Sequence, residues 1–221
     1  MSTKLALSDE ILLTIDKPAR YIGNELNMVK KDPKDVEIRF AMCFPDVYEI
    51  GMSHLGMQIL YDMFNKRDDV YCERVFSPWP DLHKIMKEQK IPLFALESQE
   101  PLKKFDFIGI TIQYEMCYTN ILQILDLAQI PLFAKDRTKE DPIIIGGGPC
   151  TYNPEPLADF FDLFYIGEGE TLHGCLNIFR NDFCIRMRGI YNCSKFTVFY
   201  IFSYFFLIHS ATMHFHKRMF F

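Results

Sequence analysis

The chain lacks the close cysteine spacing from which structural metal sites are commonly built. Its 221 residues hold seven cysteines and six histidines, and no two cysteines are spaced as C-x-x-C. A zinc or thioredoxin-like site is therefore not predicted, and no residue is assigned as a metal ligand. The formal net charge is -5, so the totals give no basic surface for binding nucleic acid.

The N-terminus also lacks the apolar core and cleavage site of a secretory signal. Together with the scattered cysteines, this absence indicates a reducing, cytoplasmic setting with free thiols.

The end of the chain has a different composition from the rest. Residues 171–221 contain no proline, no glutamate and one acidic residue, but ten of the 21 phenylalanines. Their most apolar run, residues 196–208, is 13 residues long, whereas a transmembrane helix needs about 17 to 20. Three interpretations stay open: a frameshift product, a short β-rich or amphipathic segment, and a membrane helix over 196–213 that accepts His209. Association with a membrane is not favoured.

Apolar runs and helical periodicity alternate along the preceding part. Strands are predicted at residues 36–43, 71–76, 91–96, 105–112, 143–145 and 163–166, and helices at 53–66, 81–90, 118–129 and from an N-cap at Asn153. The alternation predicts a Rossmann-like, doubly wound, mostly parallel α/β domain over 36–170. Apolar residues at roughly helical spacing predict an N-terminal helical arm over 1–35, and an irregular tail is expected over 171–221.

Glycine-rich turns follow several of the predicted strands. In an open α/β sheet, ligands bind outside the carboxyl ends of the strands, where a glycine lets a ligand approach the backbone. The candidate binding residues in these turns are Asp46, Tyr48, Gly51, Gly146, Gly147, Gly148, Glu168 and Gly169. Tight turns alone also explain each single glycine, and Glu168 with Glu170 could instead cap a following helix.

Common catalytic and nucleotide-binding patterns are missing. Thr151 stands where the third glycine of G-x-G-x-x-G belongs, and no Walker lysine follows either turn. Cys43 and Cys117 are expected to be buried and inert, and His54 to be a surface or capping residue. No catalytic residue is assigned.

Six longer motifs occur in one order along the chain. They are KPARYIGNE at 17–25, FPDVYEIGMSHLG at 44–56, ERVF-x-PW at 73–79, QYEMCYTN at 113–120, GGGP at 146–149 and IGEGE at 166–170. Together they resemble the N-terminal, cobalamin-binding-like domain of radical S-adenosylmethionine (SAM) enzymes.

This resemblance implies a corrinoid on the carboxyl edge of a Rossmann-like sheet, with its nucleotide tail beside the sheet. Base-off cobalamin domains carry Asp-x-His-x-x-Gly, in which the histidine ligates cobalt, but here Tyr48 takes the place of the histidine. A phenol, with a pKa of about 10, is a poor ligand at neutral pH. The usual Ser-x-Leu corresponds to Thr111 and Gln113, which join the cofactor-binding candidates. Cobalamin is thus expected to bind without a nitrogen ligand from the protein to cobalt, or not to bind at all.

The catalytic half of the family is not found in this sequence. A [4Fe–4S] cluster that leaves one iron open for S-adenosylmethionine needs CxxxCxxC, which is absent. The resemblance ends at Glu170, where the composition changes, and this indicates a truncated product. We expect a corrinoid-binding-like domain that is inactive alone, whose partner is a radical SAM barrel domain or protein. The alternative is a non-catalytic module that docks a separately encoded radical SAM protein through Trp79 and the exposed flank left by the missing barrel.

Overall fold

The computed structural model describes residues 5–167 and Gly169, which form a five-stranded parallel sheet with helices on both sides. The strands are β1 (Ile38–Phe44), β2 (Val70–Phe76), β3 (Phe107–Thr111), β4 (Ile143–Gly147) and β5 (Leu163–Phe164). The helices are α1 (Asp9–Leu12), α2 (Tyr48–Ser53), α3 (Leu55–Asn65), α4 (Pro80–Gln89) and α5 (Tyr118–Leu127).

The strand order β2-β1-β3-β4-β5 confirms the predicted doubly wound fold. β1 pairs in parallel with both β2 and β3, so that Phe40 lies opposite Cys72 on one side and Phe107 on the other. The crossover from β1 to β2 runs one way across the sheet, and those from β2 to β3 and from β3 to β4 run the other way. Right-handed crossovers therefore place α3 on one face and α4 and α5 on the other. Side chains at alternate positions of the strands therefore point to two separate cores. Phe40 lies in the core on the α3 side, and Ile144 lies in the core on the α5 side.

The strand predicted at residues 91–96 is wrong. The chain there makes one antiparallel bridge, between Phe94 and Pro101, and then runs beside the outer strand β2. Leu96 donates its N–H to the Arg74 carbonyl at 3.0 Å, and the Glu97 carboxylate accepts the Arg74 N–H at 2.7 Å. A side chain thus takes the hydrogen-bonding position that a further strand would need, and the segment protects this edge of the sheet.

The N-terminal arm contains less helix than the sequence predicts. Among residues 5–35, α1 is a single turn, and a 3₁₀ turn at Pro18–Arg20 follows it. Lys17, directly before Pro18, has a φ of 50° in the left-handed region, so the right-handed helical backbone is interrupted there. The apolar residues Leu7 and Ile11 are nevertheless buried, in the core on the α4 and α5 side.

The helix predicted from Asn153 differs from the observed element. A 3₁₀ helix spans Glu155–Phe160, and no side chain caps its start. Pro154 and Pro156 have no N–H group, so a capping side chain at Asn153 has fewer donors to accept from.

The predictions for the end of the chain fall outside the described residues. Within residues 5–167 and Gly169, no helix has the length and apolar character needed to span a bilayer. The tail 171–221, with its three interpretations, is not part of the described structure.

Candidate functional site

A cavity of about 170 Å³ lies between α3 and the carboxyl edge of the sheet. Its wall combines residues of α3 with the ends of β1, β3 and β4 and with the turn after β5. The predicted candidates in its lining are Thr111, Gln113, Gly147, Gly148 and Gly169. The fold therefore brings together five candidates from three separate stretches of the sequence.

Two adjacent glycines shape the cavity in different ways. A Cβ at Gly147 would have no atom within 4 Å, so that side of the residue is open. Gly148 has a φ of 97°, and a Cβ there would lie 2.9 Å from the carbonyl oxygen of Ile112. Gly148 is thus needed for the turn itself, whereas Gly147 leaves space that a ligand could fill.

The polar groups at the cavity come from the turn after β3. The Gln113 amide nitrogen donates to the Thr111 hydroxyl at 2.6 Å, and both side chains are half-buried. This bond holds the two side chains together at the edge of the cavity.

His54 also lines the cavity, although the sequence indicates only a surface or capping role. The capping role is confirmed, since Nδ1 accepts the N–H of Met57 at 3.2 Å at the start of α3. A neutral imidazole whose Nδ1 accepts carries its proton on Nε2. His54 therefore has a donor, rather than a lone pair, left for a ligand. The sequence signal was its place within the FPDVYEIGMSHLG motif at 44–56.

Tyr48 lies outside the cavity lining. Its hydroxyl donates to Glu25 at 3.2 Å, and its ring packs edge-on against Phe76 with 5.5 Å between centroids. Burial, followed by the nearby Glu25 carboxylate, raises the pKa of Tyr48. The phenol is thus held neutral and away from the space where a ligand would lie.

Gly51 and Gly146 serve packing. A Cβ at Gly51 would collide with the ring of Phe76, so its absence lets α2 approach β2. A Cβ at Gly146 would lie 2.7 Å from the Phe164 ring, on the face of the sheet opposite the cavity. Neither glycine is part of the cavity lining.

Asp46 ties two edge loops together. Its carboxylate accepts the Val47 N–H at 2.7 Å and the hydroxyl of Tyr114, which follows β3. The hydrogen bond to Asp46 raises the pKa of Tyr114 to about 12. Tyr114 was not singled out from the sequence, because nothing local pairs it with a residue 68 positions away. Glu168, the remaining candidate, lies outside the described residues.

Comparisons with known proteins found a matching family and a similar protein. The family described as "Radical SAM proteins, N-terminal" matches residues 56–201. An uncharacterised protein of Methanocaldococcus jannaschii is 29% identical over 155 residues, which cover 69% of this chain but 28% of that relative. No solved structure matches the chain.

Proposed function

Since the chain belongs to the family of radical SAM protein N-terminal domains, we propose that it is a corrinoid-binding-like domain that acts beside a radical SAM barrel. The observation that carries the proposal is the cavity at the carboxyl edge, with the open side of Gly147 facing it. In open α/β sheets this edge is where ligands bind. The domain by itself catalyses nothing.

The residues around the cavity fit one part of a corrinoid better than another. The glycine edge and the apolar wall formed by Met57 and Leu60 suit a flat, largely apolar group such as the base of the nucleotide tail. Thr111, Gln113 and the Nε2–H of His54 offer hydrogen bonds to the polar periphery. A bound corrinoid would supply organocobalt chemistry, for which these residues would only bind and orient the group.

The motif that would supply a nitrogen ligand does not fit. Tyr48 is engaged with Glu25 and Phe76, and its pKa is raised, so the phenol is not available as an axial ligand. We therefore propose that the corrinoid is held by its tail and periphery, without a protein ligand to cobalt from this motif.

The iron–sulfur cluster and S-adenosylmethionine belong elsewhere in this proposal. The 221 residues contain no CxxxCxxC motif. The matched part of the chain covers 28% of the length of the Methanocaldococcus jannaschii relative. A barrel outside these residues would hold both groups. We also propose a reducing, cytoplasmic setting, because the four described cysteines, Cys43, Cys72, Cys117 and Cys150, are free thiols.

The proposal is tested by mixing the full chain with hydroxocobalamin and separating them by gel filtration. We expect corrin absorbance to elute with the protein, and Gly147→Val to abolish this co-elution because its side chain fills the open space. Ala19→Val, which adds methyl groups at an exposed position, is the matched control and should retain the corrinoid.

Two outcomes would count against the proposal. If circular dichroism shows an intact fold and no corrinoid is retained, the protein does not bind this cofactor. If Gly147→Val and Ala19→Val retain the corrinoid equally, it does not bind in this cavity. Tyr48→Phe should leave the spectrum of the bound corrinoid unchanged, and a shifted spectrum would contradict the absence of a phenol ligand.

A second candidate function, docking of a separately encoded radical SAM protein, is favoured by exposed apolar side chains. Leu55 and Ile59 lie one turn apart on α3 and are 72% and 41% exposed, and Ile50 on α2 is 46% exposed. Trp79 is also exposed, with the Arg20 guanidinium 5.2 Å from its ring. Co-purification with a CxxxCxxC protein, lost in Leu55→Asp but kept in Gln58→Asp, would support docking, and a monomer that binds no such protein would argue against it.

A further inference from the structure

Two of the motifs singled out from the sequence contact each other at the carboxyl edge of the sheet. Pro45 and Asp46 lie in the loop after β1, whereas Tyr114 lies in the turn after β3. The Tyr114 hydroxyl donates to the Asp46 carboxylate. The side-chain amide of Asn120, in α5, donates to the Pro45 carbonyl at 2.9 Å. We call these two hydrogen bonds the clasp, and none of its four residues lines the cavity.

The clasp spans the point where the connections of the chain diverge. The crossover that follows β1 and the crossover that follows β3 run in opposite directions across the sheet. Neighbouring loops that separate in this way leave a crevice, and ligands of open α/β proteins bind there. The loop after β1 leads to α2 and α3 on one face, whereas the turn after β3 leads to α5 on the other face. The clasp therefore fastens one helical layer to the other across the crevice.

The two ends of α3 are held in different ways. At its carboxyl end, the Asn65 side chain donates to the Cys72 carbonyl at 2.9 Å and accepts the Cys72 N–H at 3.0 Å. The Lys31 ammonium also donates to the Asn65 carbonyl at 2.9 Å. At the other end, His54 is both the C-cap of α2 and the N-cap of α3. The start of α3 is thus joined through α2 to the loop that the clasp holds.

The cavity is small for a ligand site. Its volume of about 170 Å³ is below the roughly 300–1,000 Å³ of pockets that enclose a drug-sized molecule. The start of α3 forms one wall, with His54, Met57 and Leu60 in the lining. A ligand that fills a pocket of the usual size therefore needs this wall to move away from the sheet.

We propose that the clasp keeps the cavity closed, and that its release lets the start of α3 swing away from the sheet to admit a ligand. Tyr114 and Asn120 are then positioning residues, which act on the cavity through the loop after β1 and through α2. The carboxyl end of α3, fixed by Asn65, serves as the pivot. The inference goes beyond the proposed function, because it depends on the cavity and the clasp and not on the identity of the ligand.

Thiol labelling of the full chain, without any ligand, tests the proposal. Met57→Cys places a thiol in the cavity wall, at a position that is 2% exposed. Iodoacetamide reaches this thiol when the cavity opens, and mass spectrometry of peptides separates it from the other cysteines. Adding Tyr114→Phe removes the hydroxyl of the clasp and keeps the ring. We expect labelling at position 57 to become about fivefold faster or more, because one hydrogen bond no longer opposes the local opening.

Two controls separate local opening from a general loss of stability. Tyr152→Phe removes a hydroxyl from an 81% exposed side chain and should leave labelling at position 57 unchanged. Cys72 is fully buried at the fixed end of α3, so its labelling in the same sample measures unfolding of the whole domain and should keep its rate. Equal acceleration by Tyr114→Phe and Tyr152→Phe, or the same acceleration at Cys72 as at position 57, would overturn the proposal.

The second bond of the clasp is tested with a pair of neighbouring residues on α5. Asn120→Ala removes the hydrogen bond to the Pro45 carbonyl and should also speed labelling at position 57. Thr119→Ala, at an exposed position, should leave it unchanged. Unchanged labelling in both Tyr114→Phe and Asn120→Ala would overturn the proposal.

A natural thiol gives the same information if Met57→Cys does not fold. Cys117 is 1% exposed, and its thiol donates to the Tyr114 carbonyl at 2.9 Å. In the otherwise unaltered chain, Tyr114→Phe should speed labelling of Cys117 relative to Cys72. An unchanged ratio of the two rates would contradict the release of the clasp.

Discussion

Glycines of this protein differ in what the missing side chain allows. Gly109 leaves room for the ring of Phe40, because a Cβ would lie 2.5 Å from its Cζ. Gly148 holds a positive φ, and Gly147 meets open space. The same amino acid therefore serves packing, backbone conformation and access to a cavity at positions that look alike in the sequence.

This difference leads to a prediction for two adjacent substitutions. Gly148→Ala should lower the free energy of unfolding by about 1–3 kcal/mol, the usual cost of a residue held in a rare backbone conformation. Gly147→Ala should stay within about 0.5 kcal/mol of the unaltered protein, because its Cβ meets no atom. Urea unfolding of both variants measures this, and similar losses would contradict the assignment of the two roles.

Tyr48 illustrates how a side chain's surroundings decide its role. The resemblance of the sequence to base-off cobalamin domains would make this the position of a metal-ligating histidine. In the structure, Glu25 from the N-terminal arm accepts the phenol's hydrogen bond. Tyr48 thus links the N-terminal arm to α2 through this hydrogen bond.

At the scale of single elements, the outer strand β2 depends on buried charges. The Arg74 side chain pairs with Glu97 at 2.7 Å, and Arg39 pairs with Glu73 at 2.6 Å. The Glu73 and Glu97 side chains are fully buried. Burial raises the pKa of both carboxyls, that of Glu97 to about 7, against the opposing effect of the nearby arginines.

This shift predicts how stability depends on pH. Between pH 4.5 and about 7 the folded protein keeps a proton on Glu97 that the unfolded chain has lost. The contribution of Glu97 to the free energy of unfolding should therefore fall as pH rises through this window. Urea unfolding across the window should give a flatter pH profile for Glu97→Gln than for the unaltered protein.

The control for this experiment is Glu88→Gln, at an exposed position of α4. It should keep the pH profile of the unaltered protein. If Glu97→Gln and Glu88→Gln give the same profile, Glu97 is not the titrating group.

At the scale of the whole molecule, the cavity and the core on the α3 side share residues. Phe40 of β1 stacks on Phe64 of α3 at 4.8 Å and on Phe107 of β3 at 6.3 Å, and it also lines the cavity. Removing its ring would therefore weaken the packing between α3 and the sheet and enlarge the site.

We predict that Phe40→Ala lowers the free energy of unfolding by about 3–5 kcal/mol, as expected for truncating a buried aromatic side chain. Urea unfolding measures the loss. Phe133→Ala is the control, because that ring is 40% exposed, and its loss should be smaller. Equal losses would show that Phe40 does not hold the layers together.

Much of the fold was predictable because it follows from local patterns in the sequence. Apolar runs that end at glycine, such as Ile143–Gly147, alternate with amphipathic helices such as α3 and α5. This alternation favours a parallel sheet. The strand predicted at residues 91–96 failed because the carboxylate of Glu97 competes for the hydrogen bonds of β2, and that competition depends on a contact 23 residues away.

The sequence by itself determined the parallel α/β architecture, since strand periodicity, helix periodicity and glycine turns are local properties, and its motifs indicated the family. The tertiary structure alone decided which candidates lie together. It placed Thr111, Gln113, Gly147, Gly148 and Gly169 around one cavity with His54, and it turned Tyr48, Gly51 and Gly146 to packing. The physical reason is that the direction of a side chain and the space beside it depend on contacts between residues far apart in the chain.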